Sequence, residues 1–172
     1  MEQIEGLPES FYAPPQSTLT AVERIARAEE FFANTGAVVH YGGDRAYYAK
    51  AADHIQMPPL EAFVSAEAFY TTLAHETAHW VGHPSRLARD FGGKSWGDEG
   101  YAREELVAEL ASAFLSADLE LSPVIREDHA AYIASWLTVL KSDQRAIFSA
   151  AAHAQRAVDF LQTLQKTHKE AA

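Results

Sequence analysis

Cysteine is absent from this sequence of 172 residues. Its absence excludes a disulfide framework, a cysteine-type zinc finger and a thiol nucleophile. Any metal ion that the chain binds must therefore be held by nitrogen and oxygen atoms. Long hydrophobic runs are lacking too: none approaches the ~18 residues of a membrane span, and the N-terminus does not have the basic-then-apolar layout of a signal peptide. We expect a cytoplasmic protein with no membrane partner.

Positive charge is also scarce, with 14 lysines and arginines against 24 aspartates and glutamates and a formal net charge of -10. The basic residues are scattered, and the nearest approach to a patch is Arg86, Arg89 and Lys94 in one loop. Because an acidic chain is repelled by nucleic-acid phosphates, we expect no direct nucleic-acid binding by this domain. The partner that remains is a peptide or a protein.

The length suits one domain with its own core. Residues 1–17 are punctuated by Pro8, Pro14 and Pro15, which predicts an extended N-terminal arm. Residues 18–172 form the folded domain. It opens with a helix that is capped by residues 20–23 and stopped at Gly36.

Residues 37–41 and 45–48 are rich in β-branched and aromatic side chains and flank the turn Gly42-Gly43-Asp44, which predicts a β-hairpin. His54-Ile55-Gln56-Met57 predicts a third short strand before two prolines. We expect a small antiparallel sheet, in which residues 54–57 are either the edge that an extended peptide could pair with or a strand with a structural role alone.

Four further helices are predicted. The first is capped by Ser65 and runs to about Gly82, and a glycine-rich loop follows it. The second covers Tyr101 to about Leu119. The third begins at Ser122, with a proline at its first position, and the fourth begins at Ser142. The fold class is therefore α+β, with about five helices around one small sheet.

The motif His75-Glu76-Thr77-Ala78-His79 lies in the middle of the first of these four helices. Residues four apart share one helical face, so both imidazoles can reach a single ion. Glu76 can reach the water that such an ion activates without being a ligand, and there it could act as general base. A solvated helix face with two histidines is the alternative, which the apolar flanks of the motif argue against.

A third ligand is expected from the following helix. Position 85, where a metzincin would have its third histidine, is Ser85, and His83 sits where the helix ends. At about 100° per residue, Glu105 and Glu109 lie together along one border of the apolar stripe, whereas Glu104 points well away from it. We assign Glu105 as the ligand and Glu109 as the acceptor for a ligand imidazole N–H. The reverse assignment fits the same pattern, and two solvent-facing glutamates are the alternative without the motif.

Two histidines and one carboxylate leave a fourth coordination position for water, as in catalytic zinc sites. Zinc is the default ion for these ligands, and Mn²⁺ or another divalent ion fits as well. Peptide hydrolysis also needs a donor for the developing oxyanion. The candidates for this donor or for substrate contact are His54, Tyr101, His129, Tyr132 and His153.

The motif and its surroundings resemble the C-terminal zincin-like metallopeptidase domain of ArdC-type antirestriction proteins, which plasmids and other mobile elements carry. The segments that resemble it are residues 54–58, 72–80 with 83–87, 101–110, 129–137 and 153–157. The resemblance implies a metallopeptidase-like fold and a role in the evasion of host restriction. In that family a single-stranded-DNA-binding domain precedes the zincin, and this chain begins with the arm that would follow such a domain.

Two functions from different classes follow. One is a zinc-dependent, gluzincin-like peptidase, which the intact Glu76 favours. The other is a metal-stabilised interaction module that blocks a host restriction system without cutting a protein, which the lack of a clear oxyanion donor favours. A nucleic-acid accessory domain is a third interpretation, and the net charge argues against it.

Overall fold

The computed structural model describes residues 25–92, 99–122, 136–137, 140–141, 143 and 145–170, with side chains up to residue 165. The predicted arm at residues 1–17, the cap at residues 20–23 and most of the helix predicted after Ser122 lie outside these residues. Helical conformation is present at residues 136–137 and 140–141. The predicted α+β class is confirmed.

The described elements are four helices and three strands. The helices are α1 (Ala26–Ala33), α2 (Ala66–Val81), α3 (Glu99–Asp118) and α4 (Ala146–Glu170). The strands are β1 (Val38–Tyr41), β2 (Tyr47–Ala49) and β3 (His54–Met57), and a short 3-10 turn, Leu60–Ala62, links β3 to α2. The first helix starts later than its predicted cap implies, since Ile25 is extended, with φ -88° and ψ 103°.

The sheet is mixed, not antiparallel, and the predicted hairpin is wrong. Its order is β1-β3-β2, with β1 parallel and β2 antiparallel to β3, so β3 lies in the centre. Ile55 and Met57 of β3 are fully buried, and a central position encloses them from both sides. Gly42 and Gly43 have φ of 141° and 69°, values that suit glycine and let the chain leave β1 without pairing to β2. Residues 54–57 are therefore not a sheet edge.

The second helix is the buried centre of the fold. Ser65 caps it as predicted, because its Oγ accepts a hydrogen bond of 3.1 Å from the amide of Ala68. It packs against the sheet on one side and against α3 and α4 on the other. None of the described helices is long and apolar enough to cross a membrane.

Small residues set the approach of α2 to α3. Ala74 and Ala78 of α2 and Ala108 of α3 are fully buried in the shared core. Ser112 of α3 donates a 2.9 Å hydrogen bond to the carbonyl of Thr71. Because alanine adds little bulk between helices, longer side chains on neighbouring positions can meet across the interface.

A group that we call the sheet clamp ties the sheet to the end of α2. Arg86 donates to both carboxylate oxygens of Asp53, at 3.0 Å for the Nη1–Oδ2 pair, and its Nε donates to the carbonyl of Trp80 at 2.6 Å. Its guanidinium lies 3.9 Å from the centre of the Trp80 ring. Tyr48 of β2 donates a 2.7 Å hydrogen bond to Asp53. The strand at the β2 edge is thereby fixed relative to α2.

Candidate metal centre

Two histidines one helical turn apart define the centre of the site. His75 and His79 project from the same face of α2, and their Nε2 atoms lie 3.2 Å apart. His75 is 3% exposed, and the two rings are nearly perpendicular, at 80°. The shared helical face therefore brings both imidazoles to one point, as the spacing predicts.

The third donor comes from α3. The carboxylate oxygens of Glu105 lie 3.4 Å from His75 Nε2 and 3.6 Å from His79 Nε2. Three donors bound to one tetrahedral zinc ion at about 2.0–2.1 Å lie roughly 3.3 Å from one another. Oε2 of Glu105 makes the 3.4 Å approach and Oε1 the 3.6 Å approach, and one ligand atom from each of the three residues lies within 4.8 Å of the other two. These separations are close enough for the residues present to fit a divalent ion. Among the described residues, these three are the group of ligand side chains that could hold one.

Glu105 is buried, with 5% exposure. Burial by itself raises the pKa of a carboxyl, but the hydrogen bond with His75 and the charges of both histidines outweigh burial and leave the pKa of Glu105 below its usual value. Tyr101 also forms a hydrogen bond with Glu105. The carboxylate is thus held in its ionised form, which is the form that binds a metal.

The outer nitrogen of His75 faces the second predicted glutamate. Nδ1 of His75 lies 3.1 Å from Oε1 of Glu109. A carboxylate at this nitrogen orients the ring and leaves Nε2 free for a metal. The structure therefore places Glu105 on the metal side and Glu109 on the outer side of His75, which is the first of the two assignments that the sequence allowed.

The expectation that Glu104 points away from the site is wrong. Its Oε1 lies 3.0 Å from Nδ1 of His79, and its other oxygen accepts a 2.7 Å hydrogen bond from Nε of Arg89. We call Arg89, Glu104 and His79 the ligand clamp. Burial raises the pKa of Glu104, but hydrogen bonds from Arg89 and His79 outweigh it and lower the pKa to about 2. Sequence analysis missed this pair because only the return of the loop after α2 brings Arg89 against α3.

Glu76 is 7% exposed and follows His75 directly. Among the described residues, none forms a hydrogen bond or an ion pair with it, in contrast to Glu104, Glu105 and Glu109 of α3. A carboxylate that is shielded from bulk water and has no such partner is suited to proton transfer.

The structure does not bring His54 and His153 into the ligand group. His54 lies on the sheet face opposite the buried Ile55, and its ring centre is 4.4 Å from that of His40. His153 packs against Phe91, with ring centres 5.0 Å apart. Burial and then the positive charges of Arg156 and Arg89 lower the pKa of His153.

The remaining candidates divide into two groups. Tyr101 is near the site, through its hydrogen bond with Glu105. His129 and Tyr132 lie outside the described residues, so their placement stays a prediction. His83, which the sequence made a weak candidate for a ligand, has its Nδ1 2.7 Å from the hydroxyl of Ser85 and is not part of the ligand group.

Arg86 and Arg89, which with Lys94 are the nearest approach to a basic patch, each bind a carboxylate of this chain. Arg86 is engaged in the sheet clamp and Arg89 in the ligand clamp. Lys94 lies outside the described residues. The two arginines that the structure describes here thus form internal ion pairs.

The chain is similar in sequence to known proteins. The chain is 48% identical over 164 residues to the protein y4eC of Sinorhizobium fredii, a match that covers 95% of this chain and 52% of that protein. It is 44% identical over 161 residues to the DNA primase TraC of Escherichia coli, covering 93% of this chain and 14% of TraC. The chain thus spans about half of the first relative and a small part of the second.

Two crystal structures of the antirestriction protein ArdC from plasmid R388 are similar to this chain. The Mn(II)-bound structure matches with a TM-score of 0.74 and 42% identity, over 94% of this chain and 58% of that one. The metal-free structure matches with a TM-score of 0.73 and 44% identity, over 96% and 58%. The resemblance to the zincin-like domain of ArdC-type proteins is confirmed. Residues 26–153 match the model of a family described as zincin-like metallopeptidase, MPTase-PolyVal, and the chain belongs to this family.

Proposed function

We propose that the chain is a divalent-metal-dependent peptidase domain of an antirestriction protein. His75, His79 and Glu105 would hold the ion, because one ligand atom from each lies within 4.8 Å of the other two, and two imidazoles with one carboxylate are a ligand set of catalytic zinc sites. Zinc is the ion that two imidazoles and a carboxylate suit by default, and the Mn(II) named for the similar ArdC structure makes manganese the first alternative.

When bound, the ion supplies a Lewis acid that polarises the scissile carbonyl and activates a water molecule. Glu76 accepts the proton of the attacking water on its carboxylate and passes it to the departing amine. Its burial keeps bulk water away, and its lack of a described partner leaves both oxygens free for this transfer. Glu109 keeps His75 in place throughout, from the outer nitrogen of the ring. The observation that carries the proposal is Glu76, which is buried and has no partner among the residues that the structure describes.

An extended peptide substrate would pair with β2, since β3 is the central strand. The sheet clamp ties β2 to the Trp80 end of α2, which is the half of the helix that bears His79. In contrast, β1 lies beside Phe69 and Leu73 in the N-terminal half of α2. The β2 edge is therefore the free edge nearer to the proposed ion, and main-chain hydrogen bonds there would align the scissile bond.

A second function is favoured by one observation. None of the oxyanion candidates that the structure describes is shown free beside the ligand group: His54 is on the outer sheet face, His153 packs on Phe91 and Tyr101 bonds to Glu105. A metal-stabilised module that binds a protein of the host restriction system without cleaving it needs no such donor. The two functions share the metal and differ in the need for Glu76.

Replacement of Glu76 by glutamine separates them. We expect Glu76→Gln to keep the fold and the metal content but to lose cleavage of fluorescein-labelled casein and of a quenched peptide library by at least about a hundredfold, the usual scale for a general base. Glu67→Gln, in the first turn of the same helix, is the matched control and should cleave like the wild type.

The same variants should be tested in cells that restrict an incoming plasmid. If wild type and Glu76→Gln give equal protection and neither cleaves any probe, the peptidase proposal is wrong and the non-cleaving module stands. If protection and cleavage are lost together in Glu76→Gln while Glu67→Gln keeps both, hydrolysis is the antirestriction activity.

A further inference from the structure

We propose that Arg89 is a positioning residue of the metal centre, which acts on the ligand His79 through Glu104. The inference rests on the proposed function in one respect, namely that His79 is a metal ligand. Neither Arg89 nor Glu104 needs to touch the ion or a substrate. Their role would be to fix the ring of His79 so that Nε2 faces His75 and Glu105.

Arg89 binds the carboxylate of Glu104 through two hydrogen bonds. Its Nε and Nη2 donate to the two carboxylate oxygens of Glu104, one to each, and Nη2 also donates to the carbonyl of Ala78 at 2.8 Å. A planar guanidinium that holds both oxygens of a carboxylate fixes the plane of that carboxylate as well as its position. Glu104 is thus anchored to the backbone of α2 through Arg89, and it cannot turn away from His79 without breaking both bonds.

The contact from Glu104 to His79 determines which tautomer the neutral imidazole adopts. An ionised carboxylate 3.0 Å from Nδ1 requires a proton on that nitrogen. The lone pair is then on Nε2, which lies 3.2 Å from Nε2 of His75 and 3.6 Å from Glu105. Neutral His79 therefore presents its acceptor nitrogen to the proposed ion, and Glu104 is the group that imposes this tautomer.

The burial of Arg89 shows that its ion pair with Glu104 lies inside the protein and not on the surface. The side chain of Arg89 is 2% exposed, and that of Glu104 is 26% exposed. An isolated guanidinium at this depth would be strongly unfavourable, so its pairing with Glu104 is needed for the loop to fold back. The pair is neutral as a whole. Glu104 can thus orient His79 without adding net negative charge beside Glu105.

The turn after α2 leaves space for this guanidinium. A Cβ atom at Gly82 would lie 2.9 Å from Nη2 and 3.1 Å from Cζ of Arg89. The backbone of Gly82 has φ -70°, a value open to any residue, so conformation does not call for glycine here. Space does. The chain then returns to place Arg89 beside Gly82, with a 3.0 Å bond from the Arg89 amide to the Gly82 carbonyl.

The test compares two arginines of one loop. Arg89→Gln, Glu104→Gln and the double variant are measured against Arg86→Gln, which breaks the sheet clamp and touches no proposed ligand. Metal-free proteins are titrated with Zn²⁺ and Mn²⁺ in competition with a chromophoric chelator, and Co²⁺ spectra report the ligand geometry. Thermal unfolding is followed in the same samples. Arg89→Lys, which keeps the charge and loses the fork, is a milder variant should Arg89→Gln fail to fold.

We expect Arg89→Gln to weaken metal binding by about tenfold to a hundredfold, the usual effect of losing an outer partner of a ligand histidine. In the Glu104→Gln background the same change should weaken it by less than about threefold, because residues that act through one another are not additive. Arg86→Gln should lower the unfolding temperature and leave metal affinity and the Co²⁺ spectrum as in the wild type.

Two results would overturn the inference: equal metal affinity in Arg89→Gln and Arg86→Gln, or a loss in the double variant equal to the product of the single losses. A different result bears on the proposed function. If the wild-type protein binds metal no better than His79→Ala, then the site itself is wrong, whatever the arginine variants do.

Discussion

The sheet clamp and the ligand clamp are built from the same parts. In each, an arginine of the loop after α2 donates to both oxygens of a carboxylate and to a backbone carbonyl of α2, at 2.6 Å for Arg86 and 2.8 Å for Arg89. In each, the carboxyl has a pKa of about 2, for Asp53 chiefly because of the hydrogen bond from Arg86. The two arginines are three residues apart, yet they face opposite neighbours, the sheet and α3.

The difference lies in the group at the far end of each clamp. The sheet clamp ends at the hydroxyl of Tyr48, whose pKa is raised to about 12 by burial and by Asp53, so that it stays a donor. The ligand clamp ends at an imidazole that faces two further metal-binding side chains. The sheet clamp therefore stabilises the fold, whereas the ligand clamp stabilises the fold and also orients a side chain of the candidate metal centre.

The largest expected difference between the clamps concerns their end groups. His79→Ala should abolish stoichiometric metal binding, since it removes one of three protein ligands. Tyr48→Phe should leave the metal content unchanged and cost about 1 kcal/mol of stability for one lost hydrogen bond. Metal analysis of dialysed protein and urea unfolding check both. Full metal occupancy in His79→Ala would contradict the ligand assignment.

A smaller effect is expected from Gly82→Ala. The atoms nearest to the added methyl group are those of the Arg89 guanidinium and the carbonyl oxygen of His79, so the ligand clamp should be disturbed first. We expect a loss of about 1–3 kcal/mol in unfolding free energy, the range for inserting a methyl group into a packed region, together with weaker metal binding. Helix content by circular dichroism should not fall, because alanine is the better helix former. Unchanged metal affinity would show that the guanidinium can move aside.

The smallest expected effect is the pH dependence of the sheet clamp. The pKa of Asp53 is lowered from 3.8 to about 2 in the folded chain, so its contribution to stability is complete above about pH 4 and is lost as the pH falls toward 2. Asp53→Asn should therefore lose stability less steeply than the wild type over this interval. Urea unfolding of the metal-free proteins at pH 4, 3 and 2.5 gives the slopes. Parallel slopes would mean that Asp53 is not held by Arg86 in solution.

The sequence predicts those features of the site that depend on one helix at a time. The spacing of His75 and His79 and of Glu105 and Glu109 follows from the helical repeat, and the structure brings the four side chains together. The Ser65 cap and the bounds of α2 and α3 are predicted within one or two residues for the same reason.

The features that sequence analysis missed depend on how distant segments meet. The β1 and β2 patterns suit a hairpin and a mixed sheet equally well, since both bury alternate residues. The strand order, and with it the outward position of His54, is set by where β3 packs. Glu104 was misplaced because its partner Arg89 is 15 positions back along the chain, across the glycine-rich loop.

The alanines between α2 and α3 have a consequence beyond close packing. Within six residues, α3 carries three carboxylates that together face all four nitrogens of two imidazole rings. A rotation of α3 about its own axis by a single residue step, about 100°, would move all three carboxylates away from these nitrogens. Ala108 of α3 and Ala78 of α2, both fully buried in the shared core, restrict that rotation. A bulkier residue at either position would thus displace the carboxylates from the imidazole nitrogens before it destabilised the core.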